Sequence, residues 1–153
     1  MKFYTSSLWA AINSGIRERS DAAQKEWSAA DAAYQHQWSR VRKYLPKGFI
    51  SLYESYSFHD GAITQLALEY NKKAPLVKMR LCLEEKRVEL RFQNVKSFGA
   101  NLIDFSNCIL NQLAWGYGEF EYLPSHQFKL SVLCDINNEI EIVFKKLEWE
   151  ILE

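Results

Sequence analysis

Val77-Lys78-Met79-Arg80-Leu81-Cys82-Leu83 sets apolar side chains at every second position, and Val88-Glu89-Leu90-Arg91-Phe92 repeats the pattern after the polar link Glu84-Glu85-Lys86-Arg87. A period of two describes a strand with one face buried and the other in water. The short polar link suits a hairpin, and strands joined so briefly are antiparallel, because a parallel crossover needs a dozen or more residues. The pattern extends in both directions. Upstream, Leu66, Leu68 and Tyr70 face away from Gln65 and Glu69, and Lys72-Lys73-Ala74-Pro75 marks a turn. Downstream, Phe128, Leu130 and Val132 lead through an Asn137-Asn138 turn into Ile140, Ile142 and Phe144, with Glu139, Glu141 and Lys145 on the wet face. The segment from Phe98 to Tyr122 is less regular. It reads as a loop through Gly99-Ala100-Asn101 and then one long bent strand from about Cys108 to Tyr122, with a strand plus a helical turn as the alternative.

The period changes before residue 46. Leu8, Trp9 and Ile12 stand at helical spacing within Tyr4 to Asn13, and Asn13-Ser14-Gly15 offers a stop. From Ser20 to Leu45 the apolar positions Trp27, Ala30, Tyr34, Trp38, Val41 and Leu45 step by three or four, and Pro46-Lys47-Gly48 ends the run. A helix of this length spans roughly 37 Å, enough to cross six strands, which at their usual spacing measure about 29 Å. The expected architecture is α+β: a short and a long N-terminal helix packed on one face of an antiparallel sheet of about six strands. A chain of 153 residues fits one domain, with a helical part over 1–46 and the sheet over 58–153.

Lys plus Arg and Asp plus Glu both number 19, so the whole chain has no net attraction for nucleic acid or anionic lipid, and only a local patch could supply it. Met1 to Ser7 has one basic residue and no apolar run of signal-peptide length, and no stretch approaches the ~20 apolar residues of a membrane span. A cytoplasmic protein is expected. Cys82, Cys108 and Cys134 are an odd, dispersed set without C-x-x-C spacing, which fits reduced core thiols better than disulfides or a zinc site.

Few residues suggest chemistry. His59-Asp60 stands at the entrance to the first strand; such a pair can ligate metal or relay protons, although neighbours on a strand point to opposite faces and would meet only in a turn. Ser6, Ser7, Ser51, Ser55 and Ser57 lack a G-x-S-x-G context, and the chain has no glycine-rich phosphate loop. Glu119 with Glu121, and Glu139 with Glu141, are i, i+2 acids on strand faces, the arrangement of cross-strand ion pairs. In Trp115-Gly116-Tyr117-Gly118-Glu119-Phe120-Glu121 glycines separate aromatics beside acids. That composition suits a recognition surface for a protein or peptide, and equally a strand that bends at its glycines and buries its rings. The candidate binding residues are therefore Trp115, Tyr117, Glu119, Glu121, His59 and Asp60, with no catalytic residue, metal ligand or cofactor assigned.

Met1-Lys2-Phe3-Tyr4-Thr5, Trp27 and Tyr34, Leu45-Pro46, Phe58-His59-Asp60, the central hairpins, Trp115-Gly116-Tyr117-Gly118-Glu119 and Glu139-Ile140-Glu141-Ile142, taken in order, resemble an uncharacterised bacterial family, the domain of unknown function numbered four-zero-eight-five. The resemblance spans nearly the whole chain and implies a small bacterial cytosolic protein without an assigned activity. In layout the chain is also similar to bacterial toxin-immunity proteins. The expectation is a non-enzymatic interaction protein, immunity-like, that binds another protein without nucleic acid or membrane and is able to form a homodimer through sheet edges or the aromatic stretch. The alternative is a small metal-dependent hydrolase centred on His59 and Asp60, which requires His36 or His126 to approach that pair.

Overall fold

The computed structural model describes residues 1–70, 74–84, 86–101, 113–134 and 138–152. The Lys72-Lys73 turn, Glu85, the Cys108 start of the bent strand and Asn137 of the Asn-Asn turn lie outside the described residues. Helices α1 (Ser6–Ile12), α2 (Arg17–Val41) and α3 (Lys47–Ser55) precede nine described strands. These are β1 (Gly61–Tyr70), β2 (Pro75–Leu83), β3 (Lys86–Gln93), β4 (Ser97–Asn101), β5 (Ala114–Trp115), β6 (Tyr117–Leu123), β7 (Gln127–Leu133), β8 (Glu139–Phe144) and β9 (Lys146–Leu152). The fold is α+β and every described strand pair is antiparallel.

The strands form two sheets where one of about six strands was expected. One has the order β5-β1-β2-β3-β9 and the other β4-β8-β7-β6. Alternation sets the register in β2–β3 and β7–β8, where Met79 stands opposite Leu90 and Leu130 opposite Ile142; in β1 a bulge between Ile63 and Gln65 interrupts it, and Leu68 and Tyr70 of the expected buried row are exposed. What alternation alone does not show is where the chain changes sheets. It does so at three described corners. After β3, the Lys96 N–H donates to the Val143 carbonyl (2.7 Å); after β8, the Lys145 N–H returns to Gln93 (3.1 Å). Between β5 and β6 the corner is Gly116, whose N–H donates to the Leu133 carbonyl (3.0 Å). A Cβ at this position would lie 2.6 Å from that same carbonyl oxygen and 2.8 Å from the Trp9 ring, so the corner needs glycine. The expected single bent strand is therefore, over its described part, two strands that belong to different sheets.

The apolar rows of both sheets meet in one core, with Phe92 of one sheet against Phe144 of the other at 4.9 Å between ring centres. Burial of each such side chain contributes roughly 1.5–3 kcal/mol. Helix α1 begins at Thr5, whose hydroxyl accepts the Leu8 N–H. Helix α2 starts three residues before the expected Ser20; that hydroxyl instead donates to the Ile12 carbonyl at 2.8 Å and ties α1 to α2. The long helix runs along β6, the edge of the second sheet. Its Gln37 side chain donates to the Phe120 carbonyl (2.9 Å) and its Tyr34 hydroxyl accepts the Phe120 N–H (3.0 Å). An edge strand that would otherwise offer free backbone groups is thus closed by side chains of a helix.

Helix α3 was not expected, because Pro46-Lys47-Gly48 reads as a stop. Proline is also tolerated where a helix begins, since no N–H is required of it there. Here Pro46 precedes the first turn, Phe49 and Leu52 are buried, and Gly48 is small because the Trp149 ring would lie 2.9 Å from its Cβ. No described helix is long and apolar enough to cross a membrane.

Candidate functional site

Tyr117 opens β6 and collects rings from four other parts of the chain. Tyr4 lies 5.1 Å away between centres, Trp9 of α1 5.5 Å, Trp27 of α2 4.6 Å and His59 4.8 Å, the last three edge to face. Such pairs add about 0.5–1.5 kcal/mol each beyond the area they bury. Trp115, two residues earlier, is 1% exposed and tucks its indole beneath Gly118, where a Cβ would stand 2.5 Å from the ring. The glycines thus allow close approach, Trp115 and Phe120 are buried, and Tyr117 remains half-buried.

His59 and Asp60 reach the same place because β1 pairs with β5, Gly61 opposite Trp115. They do meet in a turn. Asp60 has φ +64°, a left-handed conformation that Asp tolerates better than most residues. Its N–H donates to the Trp115 carbonyl (2.8 Å), and the Gly61 N–H closes on the Phe58 carbonyl (3.0 Å). His59 Nδ1 lies 2.9 Å from an Asp60 carboxylate oxygen, so the imidazole contacts a carboxylate and the Tyr117 ring.

Beside this cluster α2, the α3–β1 connection and the β5–β6 corner enclose a cleft of about 470 Å³. Its walls are largely aromatic, with Tyr34, Trp38, Tyr53, Tyr56, Phe58 and Trp115 joining Tyr4, His59 and Tyr117. The phenols are held in a network. The Tyr4 hydroxyl donates to Asp31 (2.5 Å), Tyr34 accepts from Phe120, and Tyr53 reaches the Gly118 carbonyl at 3.5 Å. Burial pushes the Tyr4, Tyr34 and Tyr53 hydroxyls above the ordinary tyrosine range, and the bond to Asp31 adds to this at Tyr4. Tyr117 is raised as well, by burial and then by the negative charges of Asp60 and Asp31. These shifts move the phenols away from neutrality, opposite to what an acid or base working near pH 7 requires. Glu54 supplies a carboxylate to the lining, accepting from Trp38 Nε1 (3.1 Å) and Arg42 (2.9 Å). No lysine or arginine is among the described lining residues.

Glu119 and Glu121 stand elsewhere. Glu119, 5% exposed, accepts the backbone N–H groups of Lys2 (2.8 Å), Phe3 (2.7 Å) and Tyr4 (2.7 Å). It is a latch for the first residues of the chain, not half of a cross-strand ion pair, and it fixes Tyr4 in the cleft wall. The expected cross-strand pairing does hold for Glu141, whose carboxylate lies 2.8 Å from Lys129 Nζ. Glu121 lines a second groove with His36. His126 lies behind that groove, its Nδ1 2.6 Å from the Tyr122 hydroxyl. Neither His36 nor His126 is among the described residues that line the cleft with His59. Among the described residues no three His, Cys, Asp or Glu side chains are placed to hold a metal ion.

Sequence reading missed Tyr4, Tyr53, Tyr56 and Glu54 as parts of the cleft. Tyr53 and Tyr56 belong to or follow the unrecognised α3, and Tyr53-x-x-Tyr56 at near-helical spacing was the signal that a recognised helix would have exposed. Compared with known proteins, the chain matches no family model and no curated protein.

Proposed function

We propose that the protein is a non-enzymatic binding protein whose cleft beside Tyr117 takes a cationic side chain, arginine or lysine, of a protein partner. One observation carries this reading: the cleft presents aromatic walls and one carboxylate, Glu54, with no described lysine or arginine in its lining. Ring faces attract cations by about 0.5–2 kcal/mol each, more as water is excluded. Asp60 beside His59 and Asp31 behind Tyr4 add negative charge of the matching sign near Tyr117, while that of Glu54 is already matched by Arg42. One ring already serves this way, for Lys86 Nζ stands 4.6 Å from the centre of the Tyr56 ring. The volume falls in the ordinary range for ligand sites, roughly 300–1,000 Å³. An immunity-like role would make the partner a protein with a basic surface. The hydrolase reading retains the His59–Asp60 contact but has no third ligand gathered there among the described residues.

The test is a titration with a short arginine-bearing peptide against the same peptide carrying norleucine, followed by tryptophan fluorescence. Saturable binding of the arginine peptide, at least tenfold tighter than the norleucine control and weakened about tenfold by Tyr56→Ala, is the expected outcome. Equal binding of both peptides, or an affinity that Tyr56→Ala leaves unchanged, would overturn the reading.

A further inference from the structure

A second groove, of about 550 Å³, runs between α2 and β6 on the far side of Tyr34 from the aromatic cleft, and its chemistry is the reverse. Lys2, Arg40 and Lys43 line it with His36, and Glu121 is the one carboxylate among its described lining residues. Three cations against one acid leave a local excess of two positive charges in a chain whose total is zero. None of the three cations has an ion-pair partner among the described residues, whereas Arg42, on the same helix end, is bound to Glu54 at 2.9 Å. Lys2 Nζ stands 5.1 Å from the centre of the Phe3 ring.

The groove also holds a flat platform. Tyr44 and Tyr122 stack with centres 4.2 Å apart and planes 4° from parallel, and the Tyr122 hydroxyl is fixed by His126. Tyr44 nevertheless remains 59% exposed, so much of its ring is open to solvent. Positive residues near a helix C-terminus complement its dipole, which would account for Arg40 and Lys43 alone. It accounts neither for Lys2, brought from the start of the chain, nor for an exposed ring already held in a stack.

We infer that this groove binds a nucleoside phosphate, its base stacking on Tyr44 and its phosphate held by Arg40, Lys43 and Lys2. Arg40, near the end of α2, and Lys43, in the 3-10 turn Arg42–Tyr44 that continues it, are three residues apart and occupy neighbouring positions. Guanidinium and ammonium groups are the usual partners of phosphate oxygens, and a base on an aromatic ring contributes about 1–3 kcal/mol. A bare anion would use the cations and leave the platform idle; a plain aromatic would do the opposite.

Calorimetric titration with ADP, with adenosine and inorganic phosphate run alongside, tests the assignment. Saturable ADP binding is expected, at least tenfold tighter than either fragment and weakening as salt rises. Arg40→Ala plus Lys43→Ala, and separately Tyr44→Ala, are each expected to reduce ADP affinity tenfold or more; these side chains are exposed, so the thermal melt should move little. Absence of ADP binding, equal affinity for ADP and phosphate, or indifference to both variants would overturn it. Tighter binding of an acidic peptide or a single-stranded oligonucleotide than of ADP would overturn it as well, and would assign the groove to that ligand instead.

Discussion

Glu89 and Glu119 are the two buried glutamates among the described residues, 2% and 5% exposed, and both occupy the polar positions of alternating strands. Their partners have nothing in common. Glu89 on β3 stands opposite Arg80 of β2 and two residues from Arg91, and its oxygens receive Arg80 Nε at 2.7 Å and Arg91 Nε at 2.6 Å. Arg91 continues the chain of charges to Glu150 on β9. Glu119 stands opposite Ser131, on an edge strand, and the diagonal cation Lys129 pairs with Glu141. Three main-chain N–H groups from the beginning of the chain fill the place instead. Strand alternation therefore says which face an acid occupies, while the register of its neighbours decides what that acid holds. An acid among arginines becomes part of a charged surface, and an acid without them becomes an anchor for backbone.

The sharpest way to break this contrast is Glu119→Ala. Buried N–H groups that lose their acceptor cost about 1–3 kcal/mol each unless water reaches them. With three of them and partial rehydration of residues 2–4, the expected loss is about 3 kcal/mol in urea unfolding. Glu119→Gln keeps a carbonyl acceptor without the charge and should lose about half as much. A cost below about 1 kcal/mol for the alanine variant would mean that the first residues are not latched by this carboxylate.

Glu89 should respond less at neutral pH and more to acid. Arg80 and Arg91 are partly exposed and can be resolvated when their partner is removed, so Glu89→Ala is expected to cost about 1–2 kcal/mol. Burial alone would raise the Glu89 carboxyl, but the hydrogen bonds and charges of Arg80 and Arg91 outweigh it and hold the group below its ordinary range. A carboxyl depressed in the folded state stabilises fully above its unfolded value, about pH 4.3, and that contribution disappears as pH falls through the folded value. Unfolding free energies measured from pH 7 to pH 2 should therefore fall less steeply below about pH 4.3 for Glu89→Gln than for the parent chain. Parallel curves would show that the arginines do not hold this proton off.

The same distinction explains what could be read from the residues and what could not. The β2–β3 and β7–β8 pairings were legible because hydrophobic alternation and short links are local properties. The stripe of α2 was legible for the same reason, and Tyr34, Trp38 and Val41 are buried as it implies. Helix α3 was hidden because Pro46 and Gly48 carry two meanings, and the choice between them rests on Trp149, a hundred residues later. The division into two sheets was hidden because Gly116 records a close approach to Leu133 and Trp9 without naming either. At the site, His59 and Tyr117 were each visible, but their meeting depends on the Gly61–Trp115 pairing, and no local pattern encodes a contact across more than fifty residues.

Tyr4 joins the Glu119 latch to the aromatic cleft, and a small substitution there can separate fastening from recognition. Tyr4→Phe keeps the backbone bond to Glu119 and the ring packing on Trp27, Tyr34 and Tyr117, and removes only the hydroxyl that donates to Asp31. A single side-chain hydrogen bond of this kind is worth about 0.5–1.5 kcal/mol, more where the acceptor is charged, and Asp31 is only half-buried, so water can replace the lost donor. The expected loss in urea unfolding is about 1 kcal/mol, well below that of Glu119→Ala. Because Asp31 then loses only a neutral hydrogen-bond donor, the arginine peptide should bind the variant at least as tightly as the parent chain. A loss of several kcal/mol would show that the hydroxyl, rather than the Glu119 carboxylate, fastens the start of the chain.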